Sequence, residues 1–444
     1  MVSTTVRICI VGGGSYNWGP ILLRDLAATR ELTGTVVLND LDVAAGEELC
    51  RLGRKIVEAT GSGLRIEAIP DQREALRDAD AVVVTITTGG LAAMRHDLEI
   101  PLRYGIRQSV GDTVGPGGLS RALRSVPVMV EIARTMEEVC PDSWLINLSN
   151  PMAALVRAVA KCTKIKVVGL CHELFGVRRV VAHVLDATEG ELELQVAGTN
   201  HLTWLLAVGV GGQDGLALLR RHLAAGGKIP LKPPAADHMA PFQDCWRLKL
   251  ALFDAYGYLP AAGDRHLAEF FPYFLSEGAG YGAHYGVLIT RIDHREAMVK
   301  AAKEQVRAWI DGRSLLKTER SNEEVADVIA ALATGRERVA IVNLPNRGQI
   351  ENLPREAVVE TFGVVGASGI RGIAAGALPL GILSTVQPHV VNQELIVEAA
   401  LTGDRHLAVQ AFLGDPLVAE FRSAPKLVDD LITANRAYLP QFTA

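Results

Sequence analysis

Residues 6–19, VRICIVGGGSYNWG, constrain this chain more than any other stretch. The apolar run from Val6 to Val11 reads as a buried strand, and it breaks into three glycines and Ser15. A helical pattern follows (Pro20, Ile21, Leu22, Leu23, Leu26), then Thr35-Val36-Val37-Leu38 and Asp40. That is the order strand, phosphate-cradling turn, helix, and second strand ending in a carboxylate. Glycines there let backbone N–H groups approach a pyrophosphate at a helix N-terminus, and a strand-end acid can hold a ribose hydroxyl. Gly12, Gly13, Gly14, Ser15 and Asp40 are therefore the expected dinucleotide contacts. The fingerprint is imperfect: counted from Gly12, its sixth position is Asn17, and Asp40 lies farther on than the roughly 20 residues expected.

A chain of 444 residues exceeds one ordinary domain, and its 49% apolar content is ample for a large core. Charged residues at 21% and a net charge of −5 leave no footprint for nucleic acid or a membrane surface. No apolar stretch is long enough to span a bilayer, and the N-terminus lacks an export signal, so a cytoplasmic protein with reduced thiols is expected. Further candidate strands are Ala81–Ile86, Trp144–Leu148 and Lys166–Leu170, with helical periodicity between them. Such alternation predicts α/β architecture, a Rossmann-like doubly wound parallel sheet over residues 1–189. From residue 190 to 444 the pattern becomes α+β. Glu191–Val196 and Leu202–Val210 read as strands around Gly198-Thr199-Asn200-His201, and loop-rich sequence with Pro230, Pro233 and Pro234 follows. Helices are expected over Gln243–Tyr256, Arg295–Asp311, Glu323–Ala333 and much of Gln393–Ala434, with strands near Arg338–Asn343 and Ala357–Val364.

Ligands of such sheets collect at the carboxyl ends of the parallel strands. Cys171 and His172 follow one strand directly, and His201 sits on a turn. A thiolate and an imidazole can share a divalent metal, but two protein ligands make an incomplete site, which suits Mn²⁺ with water or substrate oxygens better than a closed structural zinc. A strand-end cysteine is also a common buried small hydrophobe. Asp112, inside Ser109–Gly118, is either the N-cap of a helix starting near Leu119 or an acid or base in the cleft. Asp264, in Asp264-Arg265-His266, is either an N-cap or a second catalytic carboxylate, with Arg265 offering a fork to an anionic group. Asn150 before Pro151 marks a turn at which its amide can meet a sugar or nicotinamide.

In their shared order, Val11-Gly-Gly-Gly-Ser15, Gly111-Asp-Thr-Val-Gly-Pro-Gly-Gly118, Asn147-Leu-Ser-Asn-Pro-Met152, Cys171-His-Glu-Leu174, Gly198-Thr-Asn-His-Leu-Thr-Trp204, Gly263-Asp-Arg-His-Leu-Ala-Glu269 and Asn343-Leu-Pro-Asn-Arg-Gly348 resemble the NAD- and metal-dependent family 4 glycoside hydrolases. The resemblance implies a lactate/malate dehydrogenase-like superfold and a redox-neutral hydrolysis, an exception to the two-carboxylate scheme of most glycosidases. NAD⁺ takes hydride from C3 of the sugar, a base removes the acidified C2 proton, and the aglycone leaves C1. Water then adds and the hydride returns. It also implies that Cys171 and His201 hold Mn²⁺, that Asp112 protonates the leaving group, and that Asp264 is the C2 base, with Tyr258 and Tyr281 as substitutes. Asn150, His172, Glu173, Arg265 and His266 are the implied sugar contacts.

Cys171-His-Glu joined to Ala261–Glu269 looks most like the α-galacturonidase branch, where Arg265 would pair the C6 carboxylate. NAD-dependent sulfoquinovosidases compete closely, then neutral α-glucosidases or α-galactosidases. A 2-hydroxy-acid dehydrogenase, or an NAD-sensing protein without catalysis, would share only the nucleotide half. Expected partners are a small glycoside and further copies of the chain in a homodimer or homotetramer.

Overall fold

The computed structural model describes residues 3–231 and 237–442, so Pro233 and Pro234 of the expected loop-rich stretch lie outside them. Thirteen strands among these residues join one sheet. They are β1 (Thr4–Val11), β2 (Leu32–Asn39), β3 (Leu64–Ala68), β4 (Ala81–Val84), β5 (Trp144–Asn147), β6 (Lys166–Gly169), β7 (Leu192–Thr199), β8 (Leu202–Val210), β9 (Gln213–Asp214), β10 (Leu259–Pro260), β11 (Arg338–Pro345), β12 (Val358–Gly366) and β13 (Gly369–Gly372). The path runs β10-β8-β7-β12-β11-β6-β5-β4-β1-β2-β3.

Within that path β3-β2-β1-β4-β5-β6 is wholly parallel, the strand order of a doubly wound dinucleotide fold. Its strands are apolar because helices cover both faces. One core gathers Val82, Val84 and Leu145 with the long helix Gly115–Val139, and the other gathers Ile8, Ile10, Val36 and Leu38 with helices Gly19–Ala28 and Val43–Thr60. The expected strands and helices of both regions form, with shifted ends. Helix Gly115–Val139 starts four residues before the expected Leu119, because Pro116 presets the backbone of its first turn. The helical content expected over much of Gln393–Ala434 comes as three helices, Leu380–Thr402, Arg405–Leu413 and Ala424–Ala434. Gly403, with φ 72°, stops the first.

From β6 onward the sheet turns antiparallel, and the junction is thinly bonded. β11 pairs with β6 only at Asn343 and Gly169, and β12 with β7 only at Glu360–Gly198 and Thr361–Ala197. The register sets Asn147, Gly169, Asn343, Glu360, Gly198 and Thr203 side by side across the strands. This seam lies level with the carboxyl ends of the parallel strands, where a sheet has backbone ends rather than ladder bonds to offer. Among the described residues no helix is long and apolar enough to cross a membrane.

Candidate active site over the sheet seam

The turn after β1 is built by close backbone approach. Gly12 has φ 89°, and a Cβ there would lie 2.3 Å from the Thr85 carbonyl oxygen; at Gly13 it would lie 2.8 Å from Leu38 Cβ. The N–H groups of Gly12 and Gly13 donate to the Asn39 carbonyl at 2.9 and 3.0 Å, and that of Gly14 donates to Asp40 Oδ2 at 2.8 Å. Ser15 N–H returns to the Gly12 carbonyl. Asp40 Oδ1 accepts from Asp42 N–H at 2.9 Å. The glycines thus let the chain fold tightly against β2 and β4, and the helix proper begins at Gly19.

On the other side of the sheet crest a side-chain cluster gathers. His201 occupies the two-residue turn between β7 and β8 with φ 64°, which swings its ring away from the hairpin. Its Nδ1 lies 3.0 Å from Thr113 Oγ1, and that hydroxyl donates to Asp112 Oδ1 at 2.9 Å. A carboxylate only accepts, so the threonine hydrogen belongs to Asp112 and the imidazole must donate from Nδ1. Burial lowers the pKa of His201 from its ordinary value. The outcome is one tautomer, with the lone pair on Nε2.

Asp112 also meets Asn150 Nδ2 at 3.4 Å and Arg295 Nη2 at 3.6 Å. Burial alone would raise its pKa, but Arg295, Arg121, His201 and Arg265 hold it below the usual carboxylate range. It does not cap the following helix, whose N-cap Val114 has no side-chain bond.

Cys171 follows β6, two residues after Gly169. Burial, with Glu360 and Glu173 nearby, pushes its thiol well above the ordinary value. Glu173 accepts from Gly263 N–H at 2.6 Å. Its other oxygen stands 3.8 Å from His266 Nε2 and 4.0 Å from His172 Nε2. Burial opposes its charge, yet His266, His172, His201 and Arg265 hold it well below the usual range. His266 stacks on His201 with ring centroids 3.8 Å apart, and burial drives its pKa well down. Arg265 Nη2 donates to His266 Nε2 at 3.4 Å.

The structure therefore brings Asp112, Asn150, Cys171, Glu173, His201, Arg265 and His266 into one neighbourhood. His172 stands at its edge: half exposed, 3.2 Å from Glu323 Oε1 and with its ring 6.0 Å from Trp18, so it faces the nucleotide turn. Burial would lower its pKa, but the Glu323 bond carries it to about 9.

Asp264 is elsewhere. Its carboxylate accepts from Leu248 N–H at 3.2 Å and Lys249 N–H at 3.1 Å, capping helix Arg247–Tyr256, with Lys249 Nζ at 3.5 Å. It is 2% exposed; burial raises its pKa to about 6, against Lys249. This differs from the expected N-cap: Asp264 caps a helix other than its own, and its own first turn is largely buried. Of the two substitute tyrosines, Tyr258 packs into the hydrophobic cores. Tyr281 has φ 53° between Gly280 and Gly282, both also at positive φ, with Arg107 over its ring at 3.8 Å. A bulky residue in that region is strained, as functional side chains often are.

Several further participants are not singled out by the sequence. Arg295, on helix Ile292–Ile310, joins the cluster from far along the chain. Thr113 and Asn200 sit inside recognised motifs without a role of their own there. Glu360 is the one carboxylate in the apolar strand β12, and that anomaly is the clue the sequence offers. Among the described residues no group of three or more His, Cys, Asp or Glu is arranged to hold a metal.

Residues 7–187 match the model of family 4 glycosyl hydrolases, and residues 196–418 match that of the family's C-terminal domain. The chain belongs to glycosyl hydrolase family 4. It is 37% identical over 447 residues to an α-galacturonidase of Bacillus subtilis (strain 168), covering 96% of this chain and 97% of that one. A solved Bacillus subtilis structure superposes with TM-score 0.89 at 36% identity, covering 96% of this chain and 99% of its own. A 6-phospho-α-glucosidase from gut microorganisms, solved with NAD and Mn²⁺, superposes with TM-score 0.84 at 23% identity over 99% of this chain and 100% of that one; that likeness carries the fold. This family 4 enzyme is a glycoside hydrolase on a Rossmann-like sheet, as the motifs imply, and membership removes the dehydrogenase and sensor alternatives.

Proposed function

We propose that this glycosidase hydrolyses an α-linked anionic hexoside, foremost an α-galacturonide, using NAD and a divalent ion such as Mn²⁺. The observation that carries the anionic reading is a pair of guanidiniums. Arg265 and Arg295 lie 4.8 and 5.0 Å from the same Phe242 ring, and both hold buried nitrogens without a hydrogen-bond partner among the described residues. A carboxylate at C6 would satisfy them in the forked geometry that guanidinium favours. The α-galacturonidase relative supports the same choice.

The residues present fit both cofactors. The glycines of the Gly12–Ser15 turn have no room for a Cβ against Thr85, Leu38 and Asp40, which makes the tight strand-to-helix turn a dinucleotide site requires, and Asp40 follows the end of β2. Cys171 Sγ and His201 Nε2, whose lone pair the Thr113 bond at Nδ1 leaves free, are a soft–borderline pair for one divalent ion. When bound, the dinucleotide supplies reversible hydride removal at C3, and the ion supplies positive charge beside the sugar oxygens and favours the thiolate of Cys171.

The chain's own residues do the rest. Asp112 is assigned to protonate the departing aglycone. The cations around it keep it ionised in the free protein, and a substrate carboxylate seated on Arg265 and Arg295 would offset that charge and let Asp112 take up a proton. An anionic substrate thus prepares its own acid. Asn150 and His266 offer an amide and a ring nitrogen to sugar hydroxyls, since Asn150 Oδ1 and His266 Nδ1 are buried without partners among the described residues. Arg265 orients His266 by donating to its Nε2, and Glu173 holds the preceding turn at Gly263 N–H. With Asp264 committed to capping a helix, we assign removal of the C2 proton to Tyr281.

The test is kcat/KM for nitrophenyl α-galacturonide, α-sulfoquinovoside and α-glucoside with NAD⁺ and Mn²⁺. The uronide should lead the glucoside by about 10- to 100-fold, the worth of a charge-assisted hydrogen bond. Preference for the sulfonate would transfer the same clamp to sulfoquinovosides, and preference for the glucoside would contradict the anionic reading.

A further inference from the structure

Glu360 sits at the middle of the seam, 4% exposed. Its Oε2 accepts from Asn343 Nδ2 at 2.6 Å and Asn200 Nδ2 at 3.1 Å, and its Oε1 accepts from Thr203 Oγ1 at 2.7 Å. Among the described residues no lysine or arginine pairs with it, so three neutral dipoles alone hold a buried carboxylate. Such a group is costly to bury without a counter-charge.

Its partners explain the expense. Asn200 precedes His201 in the hairpin turn. An asparagine side chain can present either its NH₂ or its oxygen to a neighbour. A carboxylate accepts only, so Glu360 obliges Asn200 to turn its NH₂ inward. Its amide hydrogen then serves Glu360, which pins the side chain that opens the turn. The Asn200 oxygen is itself buried without a partner among the described residues. Asn343 ties the same carboxylate to β11, whose only bonded pair with β6 is Asn343–Gly169, two residues before Cys171.

We propose that Glu360 is a positioning residue for metal binding: through Asn200 it fixes the His201 turn, and through Asn343 it ties down the end of β6 that leads to Cys171, so both ligands are held in place for a divalent cation. His201 is thus held from two sides, its ring by Thr113 and Asp112 and its turn by Asn200 and Glu360, while the strand end before Cys171 is held by Asn343 on the same carboxylate. Outer-shell partners of this kind change metal affinity by about 10- to 100-fold.

This inference rests on the proposed Cys171/His201 site, and the experiment separates the two. Mn²⁺ alone is titrated into the full-length protein and followed by calorimetry and by electron paramagnetic resonance of free Mn²⁺. The thiolate-to-metal absorption of the Co²⁺-loaded protein is recorded in parallel. Glu360→Gln should weaken Mn²⁺ about 10- to 100-fold and diminish the Co²⁺ band, leave NAD⁺ affinity unchanged, and be partly restored by Glu360→Asp. Asn200→Ala should also weaken Mn²⁺, and the double variant should lose no more than Glu360→Gln alone, as residues on one relay do.

Wild-type Mn²⁺ affinity in Glu360→Gln, while Cys171→Ser has lost it, would overturn the role of Glu360 and leave the ligand assignment standing. Wild-type affinity in Cys171→Ser would overturn both. If Glu360→Gln does not fold, Asn200→Ala decides, and unchanged Mn²⁺ affinity there contradicts the relay.

Discussion

The turn after β1 and the cluster over the β6–β11 seam would each hold a charged ligand, and they are made of different materials. At the turn the work is done by main chain within a few consecutive residues: Gly12, Gly13 and Gly14 pack against β2 and β4, and a single side chain, Asp40, completes the contact. At the seam it is done by side chains from segments far apart, with Thr113 and Asp112 behind the His201 ring, and Glu360 behind its turn through Asn200 and behind the end of β6 through Asn343. Backbone recognition needs room, which glycine provides. Side-chain recognition needs orientation, which buried acceptors provide, and a thinly bonded sheet junction leaves space for them.

If the two regions are separable, their variants should divide accordingly. Cys171→Ser and His201→Ala should each abolish metal-dependent hydrolysis while NAD⁺ affinity, read by fluorescence titration, stays close to wild type. Gly12→Ala should do the reverse, losing NAD⁺ while Mn²⁺ affinity persists, since its Cβ would meet the Thr85 carbonyl at 2.3 Å. Loss of both ligands in any one of these variants would join the regions into one unit.

A smaller effect is expected at the acid. Asp112→Asn should reduce kcat by about 10²- to 10⁴-fold, the usual worth of a positioned proton donor, in steady-state assays at fixed NAD⁺ and Mn²⁺. Arg295→Gln comes next. It should raise KM for the uronide by about 10- to 100-fold and leave the neutral glucoside nearly unaffected. Equal losses on both substrates would remove the carboxylate clamp.

The smallest effect concerns Glu269, which links the two sides of the cleft. Its Oε1 accepts from Val110 and Gly111 N–H, both at 2.8 Å, clipping the Asp112 loop to helix Asp264–Phe270. Burial raises its pKa to about 8, with Asp112 and Asp415 adding to the rise. A folded pKa above the unfolded value means the contribution is fully present below the unfolded pKa, near 4.5, and is lost as pH rises through about 8. A glutamine side chain at this position would imitate the neutral acid at every pH. The melting temperature of Glu269→Gln should therefore fall less than that of wild type on the alkaline side, measured by scanning calorimetry across that window.

The contrast between regions also explains what could be read from the sequence. The nucleotide unit was legible because its chemistry is contiguous: strand, glycines, helix and Asp40 follow one another, and the parallel order follows from their alternation with helices. Cys171, His201 and Asp112 were legible through motifs, but their backing was not. Thr113 gains meaning only from the distance to His201, and Asn200 only from a carboxylate 160 residues away. Arg295 reaches Asp112 across the fold with no local pattern to announce it. Asp264 misleads for a related reason: its neighbours in sequence resemble a catalytic segment, while its carboxylate reaches back to cap the helix at Leu248 and Lys249. That long return depends on the short strand β10, which no periodicity marks.

The whole account turns on a transient oxidation of the sugar at C3, without which the hydrogen on C2 has no reason to exchange. Hydrolysis run to completion in D₂O, with NAD⁺ and Mn²⁺, should yield sugar carrying deuterium at C2 and no net NADH, as read by proton NMR and absorbance in the same sample. Product that retains its original hydrogen at C2 throughout would contradict it.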